Sequence, residues 1–172
     1  LMDYINSVGR YRCLYVNVEI AQSARENVTD AMQAILNELA LQARLVLQDT
    51  SIADTWPEIL SRAGGHAALS EVLTRWAEDN PLPIVLMIDE IDALIGDTLI
   101  SVLRQLRAGY PKRPALFPQS IILCGVRDVR DYRIHSSRDQ AIITGGSAFN
   151  IKAKSLRLGD FDRAETVGLL RQ

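Results

Sequence analysis

The run Ile84-Val85-Leu86-Met87-Ile88 followed by Asp89-Glu90-Ile91-Asp92 constrains this chain more than any other stretch. Consecutive apolar residues without alternation suit a strand buried on both faces, as in a parallel sheet covered by helices. Carboxylates then arrive where the strand must end. In open α/β sheets ligands sit outside the carboxyl ends of the strands, so Asp89 and Glu90 are expected at the mouth of a site. The plainer alternative is a buried strand running into an acidic, solvated turn.

The 172 residues, 48% of them hydrophobic, suffice for one core. The formal net charge of -2 provides no basic field, so neither nucleic acid nor an anionic membrane is indicated. Cys13 and Cys124 both lie in apolar, strand-like runs and read as small buried hydrophobes. No apolar run reaches membrane-spanning length and the N-terminus lacks the order of a signal peptide, which makes a cytoplasmic chain the expectation.

From the start, Leu1, Met2, Ile5 and Val8 share a helical face that Gly9 is placed to end. Residues 12–19 then read as a strand. Ser23-Ala24-Arg25-Glu26 has capping-box spacing before a long amphipathic helix with Val28, Met32, Ile35, Leu39, Ala43 and Val46 on its stripe. Thr55-Trp56-Pro57-Glu58 is expected to open a shorter helix, closed by Gly64-Gly65. Another follows over about 67–78, with Leu69, Val72, Leu73 and Trp76 on one face. Pro81-Leu82-Pro83 stops it and leads into the central strand.

Asp97 can cap a helix that buries Leu99, Val102, Leu103 and Leu106, turns Arg104 and Arg107 outward, and stops at Gly109. A proline-bearing loop over 109–119 precedes a short buried strand at 120–124. Strands alternating with helices predict an α/β domain with a mostly parallel sheet. After Gly125, basic and acidic residues alternate through Arg127, Arg130 and Arg133; one reading is an ion-paired surface. The other is phosphate recognition, with Arg127 the first candidate because it follows the carboxyl end of a central strand. A last strand is expected near 155–158, and Asp162-Arg163-Ala164-Glu165 has the form of a helix start whose apolar face begins with Val167 and Leu170.

Asp89-Glu90-Ile91-Asp92 after a buried strand, Ser147-Ala148-Phe149-Asn150-Ile151, and Leu156-Arg157-Leu158-Gly159-Asp160-Phe161 before a helix together resemble the prokaryotic AAA-like ATPases of the AAA+/STAND P-loop group. The likeness extends over about 11–172. It implies a three-layer P-loop NTPase-like core at 1–159 and the start of a helical lid at 160–172. It also makes the acidic strand end the Walker B element: Asp89 for Mg²⁺, Glu90 for the attacking water, and Asp92 for local pairing or capping of the next helix. ATP and Mg²⁺ are the implied cofactors. The chain departs from the pattern in lacking G-x-x-x-x-G-K-[ST], and Gly125 stands where many such proteins carry a polar sensor.

The resulting expectation is an ATPase core that lacks the Walker A strand and is inactive by itself, with Glu90 and Arg127 as catalytic candidates. Alternatives are a non-catalytic nucleotide-sensing switch or protein scaffold and, with less support, another metal-dependent phosphotransfer fold. The implied strand order puts the missing strand between 155–158 and 120–124. Either the former segment closes that gap or two chains associate through the open edge.

Overall fold

The computed structural model describes residues 1–126, 128, 133–136, 141–144, 154–157 and 159–171. Its centre is a parallel sheet ordered β1-β2-β3, formed by Arg12–Asn17, Ile84–Asp89 and Ser120–Leu123. Arg12 lies opposite Ile84 and Asn17 opposite Asp89, while Val85 lies opposite Ser120 and Ile88 opposite Leu123. The acidic strand is therefore the middle one. This is the α/β architecture with flanking helices that the apolar runs predict.

Period-two alternation divides the sheet residues between two faces. Leu14, Val16, Ile84, Leu86 and Ile88 enter the main core, where they join residues from α2 (Val28–Leu47), α4 (Ala68–Asp79) and α5 (Gly96–Gly109). Cys13, Val85 and Met87 point the other way, beneath Met2 and Ile5 of α1 (Met2–Val8). Helices thus lie on both faces, and each fully buried Leu or Ile contributes roughly 1.5–3 kcal/mol. Gly9, at φ 69, ends α1 in the left-handed conformation, and paired bonds between Asn6 and the Cys13 backbone (3.0 and 2.7 Å) fix the return into β1.

Several helix starts differ from expectation, each for a local reason. Residues Glu19–Ala24 form a 3₁₀ turn, so Ser23 caps nothing; Asn27 caps α2 instead, its side chain accepting the Asp30 amide at 3.2 Å. α3 (Ser51–Ala63) begins a turn before Thr55, because Asp49 accepts both the amide and the hydroxyl of Ser51. Pro57 consequently sits inside the helix, where burial of Ile52 and Ile59 outweighs its propensity cost. α5 starts at Gly96, whose φ of +51 favours glycine; Asp97 does not cap it and instead accepts the Ser136 hydroxyl at 2.5 Å.

The stripe of α2 is buried from Val28 to Ala43 and half-buried at Val46, the face of α4 is buried, and Arg104 and Arg107 are exposed. After α5, residues Tyr110–Lys112 form a further 3₁₀ turn and the chain folds back to bury Phe117 completely. The ring of Phe117 occupies the space that a Cβ on Gly109 would need.

An antiparallel hairpin, β4 (Arg133–Ser136) with β5 (Ala141–Thr144), was not legible in the alternating charges; Ile134 joins the main core and β4 packs on α5. The expected last strand is not formed over 155–157, where the chain is exposed and has no regular structure; Leu158 lies outside the described residues. Lys154, Ser155 and Arg157 are polar and Leu156 stays exposed, so over 154–157 no apolar side chain is buried that would hold a strand against the sheet. Among the described residues β3 therefore pairs with β2 only, and its other edge is unpaired.

α6 (Arg163–Leu169) has the predicted capping box, with Asp162 and Glu165 exchanging bonds of 2.8 and 2.9 Å. Its Val167 and Leu170 remain exposed. Among the described residues no helix is long and apolar enough to cross a membrane.

Candidate functional site

Asp89 is the last residue of β2, so its position follows from the buried strand before it. Its side chain belongs to the sheet face that carries Cys13, Val85 and Met87. Oδ1 accepts the Glu90 amide at 3.0 Å and Oδ2 accepts the Tyr15 hydroxyl at 2.6 Å. The strand end is also tied through its backbone: the Val18 amide donates to the Asp89 carbonyl at 3.1 Å, and the Cys124 amide to the Ile88 carbonyl at 2.8 Å.

Glu90 turns the chain at φ 56 and ψ 39, a left-handed conformation costing a non-glycine residue roughly 1–2 kcal/mol. What holds it there is Ile91 on its C-terminal side, which is buried and donates its amide to the Cys124 carbonyl at 3.1 Å. Glu90 itself is exposed, and among the described residues its carboxylate has no hydrogen bond or ion pair. The turn thus presents an uncommitted carboxylate beside a firmly held one.

Asp92 does not cap α5. Its Oδ1 accepts the Val126 amide at 3.4 Å, linking the acidic turn to the segment after β3. Arg127 and Arg130 lie outside the described residues, and of Arg133 the backbone belongs to β4. The structure therefore places Asp89, Glu90 and Asp92 on one stretch of chain at the carboxyl end of β2, without gathering the three carboxylates round a common point. Both cysteines are free thiols. Burial pushes the Cys13 thiol up, and burial together with the nearby Asp89 charge does the same at Cys124, so neither suits a nucleophile.

Tyr15 is the site residue that sequence reasoning missed. Its neighbour across the sheet is Met87, one side-chain row short of Asp89, and that diagonal relation exists only once the β1–β2 register is set. The phenol is pushed up to about 12 from its ordinary 10.0, first by the hydrogen bond to Asp89, then by burial and the surrounding charges. A raised folded-state value means this contact adds stability that is fully present below pH 10 and lost as pH rises toward 12. Ultraviolet titration should find a late-ionising tyrosine, and Asp89→Asn should remove that late step. A titration with no late step in the intact protein would refute the contact.

The chemistry of the donor set fits one kind of metal and not others. Among the described residues no three His, Cys, Asp or Glu side chains gather to cage an ion. Two adjacent carboxylates, one oriented and one exposed, suit a hydrated Mg²⁺, which keeps several waters and takes one or two protein oxygens. The sequence has no Walker A loop to cradle the phosphates of a nucleotide, and among the described residues Lys112 bonds Thr74 at 3.3 Å on another surface. Two surface grooves also lie elsewhere. One, of about 510 Å³, runs past Ser70, Thr74 and Arg104 between α4 and α5; the other, of about 370 Å³, surrounds Arg12, Asp49 and Asn80.

No protein family, curated protein or solved structure matches this chain. Fold and geometry define an α/β protein with a small parallel sheet and an acidic site at the carboxyl end of its middle strand.

Proposed function

We propose that this chain is the Walker B-bearing part of a Mg²⁺-dependent, AAA-like ATPase core. The observation that carries the reading is the emergence of Asp89 and Glu90 at the carboxyl end of the middle strand of a parallel sheet. The order β1-β2-β3 is also the one implied for the second, third and fourth strands of AAA-type sheets. Asp89 holds the metal through water, and Glu90, whose carboxylate is exposed and uncommitted, orients and deprotonates the attacking water. Arg127, by its sequence position after β3, is assigned to the γ-phosphate. Magnesium, when bound, neutralises charge on the transferred phosphoryl group.

The phosphate cradle must come from residues outside this sequence, so this chain alone is expected to show no detectable binding of Mg-ATP by isothermal titration. A dissociation constant in the low micromolar range would reveal a nucleotide site of another kind. The positive test joins the chain to a glycine-rich phosphate loop ending in Lys-Thr or Lys-Ser. Phosphate release that Asp89→Asn abolishes supports the ATPase. A loop-bearing protein that binds nucleotide without turnover supports the rival reading of a nucleotide-sensing switch, and one that binds none points to a scaffold. Self-association through the β3 edge belongs to the same proposal and is checked by sedimentation.

A further inference from the structure

We propose that Tyr15 is a positioning residue for Asp89, holding its carboxylate in the orientation that carries a hydrated divalent cation; this rests on the reading of Asp89 as the metal-holding group. The sheet face that bears Asp89 is built in rows. Tyr15 lies beside Met87 and Ile122, and the next row toward the carboxyl end places Asn17 beside Asp89. Met2 and Ile5 of α1 cover Cys13, Val85 and Met87 on this face, whereas Tyr15 and Ile122 remain more than a third exposed. The phenol therefore reaches one row along the sheet, a diagonal that an aromatic side chain spans and a serine or threonine does not.

The two hydrogen bonds on Asp89 come from different directions. Tyr15 donates to Oδ2 at 2.6 Å from the neighbouring strand, and the Glu90 amide donates to Oδ1 at 3.0 Å from the turn. Together they fix the rotation of the carboxylate. Each oxygen accepts one protein donor and keeps a second lone pair for the waters around a cation. Removing a partner that orients a ligating group typically weakens metal binding by roughly ten- to a hundred-fold.

A merely structural strut between β1 and β2 explains the contact less well. Those strands already pair over six positions, and their opposite face is packed into the main core. An exposed phenol could equally be satisfied by water, yet it donates to the one carboxylate at the strand's end.

The test uses the whole chain, with Mn²⁺ as probe and nuclear magnetic resonance as readout. In the wild type, Mn²⁺ should selectively broaden the amides of Asp89 and Glu90 and the ring of Tyr15, leaving Tyr4 and Tyr11 sharp. Diamagnetic Mg²⁺ should shift the Tyr15 ring resonances at the same site. Tyr15→Phe should keep the β1 and β2 amide pattern, widen the Asp89 rotamer distribution and weaken Mn²⁺ binding by roughly ten-fold, the lower end of what loss of an orienting partner costs. Asp89→Asn should abolish the broadening. If Tyr15→Phe binds Mn²⁺ as well as or better than the wild type, the positioning role is overturned while the metal reading stands. If Mn²⁺ leaves Asp89 and Glu90 untouched in the wild type, the metal reading falls and the role of Tyr15 with it.

Discussion

Glu90→Gln is expected to leave nucleotide binding intact and to lower turnover by roughly two or more orders of magnitude in a protein that joins this chain to a phosphate-binding loop. The size of the effect follows from what the substitution removes. Glutamine keeps the shape of the side chain but cannot take a proton from water. The cleanness of the test follows from the structure. Glu90 is exposed, its carboxylate has no partner among the described residues, and its left-handed backbone is imposed by buried Ile91 and the Cys124 carbonyl. Glutamine inherits that backbone at about the same cost, so thermal stability should barely change. Asp89→Asn is a blunter probe, because it removes the metal-holding charge and weakens the Tyr15 bond together. Phosphate release measured beside fluorescent-nucleotide binding checks the prediction, and equal turnover in the two proteins would refute the assignment of Glu90.

How much of this site could be read from residues alone depends on how local each determinant is. Five apolar residues and two acids in succession specify a buried strand and the place where its carboxylates emerge, because burial and strand length are properties of the segment itself. The face of α4 and the stripe of α2 were legible for the same reason. The hydrogen bond from Tyr15 was not, since it joins residues separated by 74 positions through a pairing register that neither strand encodes alone. Helix starts failed where a distant partner competed for the capping residue. Asp97 has the chemistry of a cap, but a hydroxyl on β4 claims its carboxylate. Asp49 was overlooked as a start signal because, beside its local bonds to Ser51, it is held by Trp76 and Arg12, which lie far from it along the chain. The hairpin was hidden because the alternating charges running up to Arg133 suggest surface, while α5 supplies the packing that buries Ile134.

Asp49→Ala is expected to destabilise the fold by about 3 kcal/mol, near the lower bound of about 3–5 kcal/mol for removing one partner of a buried ion pair. The lower figure is appropriate because the Asp49 and Arg12 side chains keep 10% and 23% of their exposure, so solvent screens part of the loss. One carboxylate serves five groups, among them the Asn80 side-chain amide, which donates to Oδ2 at 3.5 Å. Oδ1 accepts the amide and hydroxyl of Ser51 at 3.0 and 2.6 Å, opening α3. Oδ2 accepts the indole N–H of fully buried Trp76 on α4 at 3.0 Å and faces the Arg12 guanidinium of β1 at 3.2 Å. Alanine leaves the indole N–H without its acceptor, whereas Arg12 retains the Asn80 side chain and the Leu47 carbonyl at 2.5 and 2.8 Å. For a chain of this length the loss corresponds to a fall in Tm of roughly 6–12 °C. The pH dependence identifies the cause. Burial alone would raise the Asp49 carboxyl, but the bonds from Ser51 and Trp76 and the charge of Arg12 outweigh it and hold the group below its ordinary 3.8. Its stabilisation is therefore present above that value and is lost as pH falls through the lower, folded-state one. Asp49→Asn, which can still accept hydrogen bonds, should lose less stability than alanine and should flatten the acid limb of the Tm profile. Calorimetry of the three proteins between pH 3 and 7 decides it: parallel profiles would show that the charge of Asp49 does not contribute, and an unchanged Tm for Asp49→Ala would show that these helices do not depend on it.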